Sequence, residues 1–384
     1  MKFKINFLFI FVILVTACKK ESIEEPAKSS FEKYYGDTGN DIANEIVEFE
    51  SDLYLIGTSE NSNDQDLLFM KIDESGNQIL FNKIGGHGDQ LGSAICKTSD
   101  GNFLLLGSSN ASGNRGQDVY LVKISPEGKK LWAKTFGGVN DDYGVDVLEL
   151  NNGNYFVLAN TNSFGKGDLD IWMLWIDANG NLIREATNGA VGMDGAAETI
   201  ELPNGGLLNF CYTRNYGATS RDFYLLRTDK NGDSLWAKRY GGNDYEESQN
   251  INITPEGDVL LVGHSASSDP FHDMYVLKIA TDGSVIWERN FGGVMHDGGQ
   301  CQLISSNGNY VFVARSMSFG SGDRNAYVVN TNTKGDVISK EVIGGSGNDR
   351  IDDIIEFDGY YYLVGHSNSS GAGLDDVWIV KKKI

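Results

Sequence analysis

The sequence predicts an all-β fold, a seven-bladed β-propeller of four-stranded antiparallel blades closed by the N-terminal strand completing the last blade. Three periodic markers lead there. A glycine, usually followed by a second, recurs at Gly36, Gly85, Gly137, Gly189, Gly241, Gly292 and Gly344, at spacings of 49, 52, 52, 52, 51 and 52 residues. An acid or amide recurs at Asp66, Asp118, Asp170, Asp222, Asp273, Asn325 and Asp376, and a small residue at Gly57, Gly107, Ala159, Cys211, Gly263, Ala314 and Gly365. Three independent registers with one period mark seven copies of one supersecondary unit.

Within a copy the pattern is strand-like. The second copy runs LGSAICKT, the turn Ser99-Asp100-Gly101, NFLLLGSS, a longer loop, DVYLVKI, the turn Ser125-Pro126-Glu127-Gly128 and KKLWAKTF. These are four β-rich segments separated by residues that supply a positive or preset φ. The third segment is apolar on both faces, as a sheet covered on both sides requires. Two residues after the recurrent Asp stands an aromatic in six copies (Tyr120, Trp172, Tyr224, Tyr275, Tyr327, Trp378), expected to fill the space between sheets. The Asp itself is expected to cap its loop by accepting backbone N–H groups, and Gly57 and its equivalents to allow close approach of an adjacent blade. The last copy stops after its third segment, while Ser30 to Gly36 matches a fourth. One blade built from both chain ends removes the exposed edges of an open array.

Ahead of the repeats lie two short segments. Lys2 and Lys4 precede an apolar run from Asn6 to Thr16 that ends in Val15-Thr16-Ala17-Cys18. That run is too short for a permanent span and fits a cleaved export signal. Its end resembles the lipobox of bacterial lipoproteins. The resemblance implies a signal peptide over 1–17, cleavage before Cys18 and lipidation of Cys18; lacking Asp at position 19, it further implies the outer membrane. Residues 18–30 then form a polar, flexible tether, and 31–384 the propeller.

Composition narrows the partners. The formal charge is −21, or about −23 without the leader's two lysines, which repels nucleic acid and anionic headgroups. Contact with a membrane is therefore expected through the lipid alone. Cys96, Cys211 and Cys301 are scattered, with no CxxC pair, so the fold is not disulfide-built; Cys211 sits at the small position and reads as a buried apolar residue.

The pattern of paired glycines, Asp, small residue, Leu/Val-Lys and Trp before the next Gly-Gly resembles the SBBP-type bacterial β-propeller repeats over residues 31–384. It is more distantly similar to kelch-type and quinoprotein-like propellers, without the kelch Tyr and Trp spacing or the regular tryptophan-docking motif. Such a resemblance implies architecture, not activity.

Two connections of each blade, strand two to three and strand four to the next strand one, share a face and carry the long loops; this face is the candidate site. Its inner loops carry Asp41, Asp89, Asp141, Asp142, Asp194, Asp244, Glu246, Asp297 and Asp349. Either these acids form a negative mouth for cations or hydroxylated ligands, or each pins its own turn, the reading their recurrence favours. Departures from the repeat carry more information: Trp175 and Arg184 exchange the usual Lys and Trp, and one loop brings Arg214, Asn215, Tyr216 and Arg221. Aromatics stand in outer loops (Phe164, Phe271, Phe319) and inner loops (Tyr143, Tyr245). An aromatic beside a carboxylate suits sugar stacking with hydroxyl hydrogen bonding, and the alternative is packing under the residue's own loop.

The expected binding set is Asp142, Tyr143, Phe164, Asp194, Tyr216, Tyr245, Asp297 and Phe319. No catalytic residue, metal or cofactor is expected; Ca²⁺ at the mouth acids is the one alternative, although no loop has the dense oxygen spacing of a calcium loop. His264 and His366 stand where Ser108 stands in the second copy and read as structural. The expected function is a non-catalytic, monomeric cell-envelope lipoprotein that binds a glycan, peptide or protein partner on the long-loop face. A periplasmic scaffold for outer-membrane assembly and a propeller glycosidase using two mouth carboxylates are the rival readings.

Overall fold

The computed structural model describes residues 29–60, 64–111, 116–267 and 271–384; the expected leader, Cys18 and the tether to residue 28 lie outside these. Among the described residues the chain forms seven antiparallel four-stranded sheets. Six are consecutive in sequence: blade 1 runs Asp41–Phe49, Asp52–Glu60, Gln65–Ile72 and Gln78–Ile84. The seventh joins Asp349–Phe357, Tyr360–Ser367 and Asp376–Lys383 to Phe31–Tyr35 from the other chain end. Phe31 pairs with Lys381 and Tyr35 with Val377, so the ring closes as the sequence predicts.

The core lies between blades. The third strand of blade 1 directs Leu68 and Met70 toward blade 7, where they meet Val364 and Ile379, and Leu67 and Phe69 toward blade 2, where they meet Phe103 and Leu105. Successive side chains of a strand point to opposite faces, so a sheet sandwiched between two others must be apolar on both. Tyr224, Trp172, Tyr327 and Trp378 are buried in these interblade layers.

The glycine and acid markers are one physical device. A side chain on Gly85 would overlap Asp66 Oδ1, and the same holds for Gly137 with Asp118, Gly189 with Asp170 and Gly292 with Asp273. The acid opening strand three therefore lies against the backbone that ends strand four, and only glycine leaves it room. Its capping role is seen where Asp170 Oδ2 accepts the N–H groups of Lys166 and Gly167 (2.5 and 2.9 Å), and Asp376 Oδ2 those of Ala372 and Gly373 (2.8 and 3.1 Å).

Gly57 has a different reason from the expected one. A Cβ there would overlap the Ile42 carbonyl in strand one of its own blade. Strand one carries a bulge at this point, between Ala43 and Glu45, which presses its backbone toward strand two. The close approach of a neighbouring blade occurs instead at Gly92, Gly144 and Gly299, each set against the carbonyl of Gly57, Gly107 or Gly263 in the preceding blade.

The exchanged residues of blade 3 also have a structural account. Arg184 lies over the Trp175 ring at 4.6 Å, and the two are cross-strand partners. Lys123 and Trp132 pair at the same place in blade 2. Cation and aromatic have exchanged strands while keeping their cross-strand pairing, so this departure from the repeat has a structural account.

The seam strand is tied to both neighbours. Glu32 Oε1 accepts the Trp378 indole N–H (2.9 Å) in its own sheet, while Tyr35 donates its hydroxyl to the Gly76 carbonyl of blade 1 (2.8 Å). Phe31 meets the Tyr362 ring edge-on at 6.2 Å. Phe31→Ala is expected to lower stability by about 1–3 kcal/mol, less than for a fully buried aromatic, measured by urea unfolding. Deleting residues 29–36 should lower it further and promote self-association through the opened edge; a deletion variant that melts like the full chain and stays monomeric would contradict this role.

Candidate functional site

The residue opening strand one performs the same task in every blade. Asp41, Gln90, Asp142, Asp194, Glu246, Asp297 and Asp349 each accept a backbone N–H from four residues earlier, at 2.7 to 3.1 Å. Asp194 also accepts the Asn215 amide (2.7 Å) and the Thr213 hydroxyl, and Asp297 accepts the Ser316 hydroxyl. All seven side chains are buried. Asp142, Asp194 and Asp297, expected in the binding set, thus hold the junction turns with buried carboxylates.

The aromatics divide into two groups. Phe164 rests on Trp172 (4.9 Å between ring centres), Phe319 on Tyr327 (4.7 Å) and Tyr216 on Tyr224 (5.4 Å, planes 12° apart). Each covers the interblade aromatic of its own blade, with Phe164 and Tyr216 still 39% and 54% exposed at the outer loops. Tyr216 holds its place through a left-handed backbone (φ 57°) beside Gly217. Tyr143 is half-buried beside Asp141; burial first, then that acid, raises its phenol. Of the expected set only Tyr245 belongs to a cluster of polar and charged side chains around a cavity.

That cluster lies on the long-loop side of blades 4 to 6. Two positions in each blade show how it arises. The residue after the small one in strand two is Thr58, Ser108 and Asn160 in blades 1 to 3, but Tyr212, His264 and Arg315 in blades 4 to 6. The residue before the acid of strand three is Gln65, Gln117 and Leu169, then Arg221, His272 and Arg324. In the first three blades the former position bonds the next blade: Thr58, Ser108 and Asn160 accept the N–H groups of Gly92, Gly144 and Ala196 at 3.1, 3.3 and 2.7 Å.

His264 thus departs from the structural reading that its equivalence with Ser108 suggests. It packs with Tyr245 (6.1 Å) and His272 (5.6 Å), and His272 contacts Tyr245 (4.9 Å) and His296 (5.1 Å). The His272 N–H donates to His296 Nδ1 at 3.1 Å, which orients that ring. Arg221 lies over Tyr212 and Tyr245 at 4.5 and 5.3 Å, donates to the Tyr245 hydroxyl (2.8 Å) and pairs with Glu247 (3.1 Å). The rings and guanidinium groups enclose a cavity of about 250 Å³, walled chiefly by His264, His272, His296, Gly298, Arg315 and Arg324. Burial would raise the Glu247 carboxyl, but the hydrogen bond and charge of His264, with Arg221 and Arg315, bring it below its ordinary value. Burial, then the neighbouring imidazoles, lowers His272.

A second cavity of about 370 Å³ occupies the central channel. Four strand-one bulges place acids there: Glu45, Asp146, Glu198 and Asp353. Each accepts a backbone N–H of the following blade, from Ile95 (2.7 Å), Thr199 (2.8 Å), Ile251 (2.6 Å) and Ile46 (3.0 Å) respectively. A bulge leaves a backbone donor off the ladder, and these carboxylates satisfy it across the blade junction. Enclosure by protein raises all four, with mutual repulsion adding for Glu45 and Glu198; Asp146 and Asp353 rise to about 6. Among the described residues no three His, Cys, Asp or Glu side chains are placed to share a metal ion.

No protein-family profile matches the chain, and no curated protein matches it. Solved structures do. The β-propeller domain of the Trilobed protease from Pyrococcus furiosus is similar with a TM-score of 0.52 and 10% identity, over 91% of this chain and 96% of that one. That domain is described as having an open velcro topology, whereas here the seam is closed by Phe31–Tyr35. Chaetomium thermophilum Sqt1 is similar at 0.51 and 13% identity, over 86% and 82% of the two chains. Puromycin hydrolase is similar at 0.54 and 12% identity, over 85% of this chain and 50% of that one, so the chain spans half of that protein's length. Likeness at these identities concerns the fold.

The channel acids make a pH prediction. A carboxyl raised from 3.8 to about 6 in the folded state favours folding below its unfolded value, and that contribution is lost as pH rises through about 6. Asp146→Asn and Asp353→Asn, which keep an acceptor for the bound N–H, should each stabilise the protein at pH 8 by on the order of 1 kcal/mol. The gain should shrink toward pH 4, and melting curves at the two pH values check it.

Proposed function

We propose that the chain is a lipid-anchored cell-envelope protein that binds a glycan, peptide or protein partner without transforming it, through the long-loop face of blades 4 to 6. The carrying observation is the change at two equivalent positions: small or uncharged residues in blades 1 to 3 give way to His264, Arg315, His272 and Arg324, which line one cavity, and to Tyr212 and Arg221, which pack beside them through Tyr245 and Glu247. The first three blades form the same sheets without these side chains, so the architecture does not demand them. Aromatic and arginine side chains in a concave, partly desolvated site are the residues that dominate recognition energetics.

The direction of the seam strand suits an anchor. Phe31 lies at the end of its sheet where the third strand finishes, at Lys381, opposite the long loops. A tether entering there from Cys18 leaves the long-loop face turned away from the membrane. Against an acid–base pair on the face stands the use made of its carboxylates. Asp142, Asp194 and Asp297 hold turns, and the four channel acids hold neighbouring blades.

Glycan and peptide arrays probed with the purified protein test the reading. Tyr245→Ala is expected to weaken any hit at least tenfold, by removing the ring that Arg221 and His272 pack upon. Tyr216→Ala should leave the affinity within twofold, because that ring covers Tyr224 outside the cavity. Arrays without a hit at high protein concentration, or equal loss in both variants, would remove the proposed location. Cys18→Ser should move the protein from the membrane pellet to the soluble fraction, read by fractionation and immunoblot.

A further inference from the structure

The cavity between blades 5 and 6 gathers positive charge in a chain of formal charge −21. Four guanidinium groups lie in or beside it. Arg221 is paired with Glu247 at 3.1 Å and Arg350 with Asp352 at 2.6 Å. Among the described residues Arg315 and Arg324 have no carboxylate at ion-pair distance, and both line the cavity. Burial, together with the charges of Arg350 and Arg324, lowers the Arg315 guanidinium, the direction produced when cations converge without full compensation.

A second observation points the same way. His264 is 3% exposed and its Nδ1 makes no hydrogen bond within the protein, while its Nε2 faces Glu247 at 3.7 Å. Both His264 Nδ1 and Arg315 Nε come within 3.4 Å of where a side chain on Gly298 would begin. Gly298 is the cross-strand partner of Arg315, and its missing side chain leaves the space toward which the imidazole and the guanidinium converge. A buried polar atom without a partner is costly, and here it borders an open, positively charged hollow.

We propose that this cavity binds a small oxyanion, a carboxylate or a phosphate-type group, between His264, Arg315 and Arg324, with His272 and His296 completing the wall. The proposal rests on the long-loop face being the binding face and names the chemical class of ligand it takes. Guanidinium groups present paired N–H donors to such oxygens, and the imidazoles of His264 and His272 each add a donor once protonated, while His296 keeps Nδ1 as the acceptor of the His272 backbone N–H. The groups facing the imidazoles are Tyr245 and Glu247 from blade 5, Arg221 and Tyr212 from blade 4, Arg315 and Arg324 from blade 6, and Arg350 and Asp352 from blade 7. An anion between them offsets the repulsion that lowers His272, so binding is coupled to proton uptake.

Titration of the full protein with inorganic phosphate, glucuronate and N-acetylglycine tests this by calorimetry and by histidine side-chain NMR. The three probes separate a phosphate, a sugar acid and a peptide carboxylate as the source of the anion. Saturable binding is expected for at least one, with shifts at His264, His272 and His296, and with affinity at least threefold higher at pH 6 than at pH 8. Arg315→Gln and Arg324→Ala should each weaken it at least tenfold. Gly298→Ala keeps every charge and meets only ordinary contacts; it should fold normally and weaken binding by obstructing the hollow. Absence of saturation by all three probes, or affinity unchanged in both Arg315→Gln and Gly298→Ala, overturns the anion site. Array ligands that still bind in those variants would leave the face reading standing without it, whereas anion binding with blank arrays would do the reverse.

Discussion

Every junction between blades depends on a buried polar side chain pressed against a glycine. The residue opening strand one accepts the N–H four residues earlier, and in six of the seven blades the acid opening strand three leaves no room for a side chain on the glycine that ends strand four, while at Gly344 the neighbour is Asp349. Tight turns in a closed disc bury backbone donors that water would otherwise satisfy, and an unbonded one costs on the order of 1–3 kcal/mol. The recurrent acids answer that demand, which is why they recur. It also buries them, so these carboxylates are engaged by the backbone of their own turns.

What remains free to vary is a pair of positions per blade, and their division of labour explains the asymmetry of the face. In blades 1 to 3 a short polar side chain at the strand-two position bonds the next blade's backbone. In blades 4 to 6 a ring or a guanidinium occupies the same place: His264 and Arg315 line the cavity, and Tyr212 packs under Arg221 beside it. One half of the disc is thus devoted to holding blades together while the other departs from the repeat. The channel acids show the same economy from the inner side, each bridging one blade junction from a bulge.

The seven-fold period, the strand pattern and the seam were legible because each follows from a local requirement that returns every fifty or so residues: glycine beside an acid, both faces apolar in strand three, a fourth strand missing at one end and supplied at the other. The cavity was not legible in the same way. Tyr245 stands out in the sequence as a loop aromatic, but His264 shares its position with Ser108 although the two do different work. Arg315 and Arg324 stand in unremarkable strand and loop contexts. Aligning the seven copies and comparing side-chain size and charge column by column, blades 1 to 3 against 4 to 6, was the signal that could have found them. Phe164, Tyr216 and Phe319 read as loop aromatics in the sequence, and the ring face each lays on Trp172, Tyr224 or Tyr327 becomes visible only in the structure.

The pairing of Phe31–Tyr35 with Asp376–Lys383 has a kinetic consequence. During synthesis the first strand is made before any blade, yet its hydrogen-bonding partner is made last; Glu32 and Trp378, which bond each other, are 346 positions apart. Bringing such distant segments together carries a loop-closure entropy that six already formed blades largely remove, since the growing arc carries the two ends toward one another. The seam is thus the contact of highest sequence separation in the disc, and until it forms the first strand has no sheet partner. A polypeptide lacking the last strand would leave that first strand unpaired.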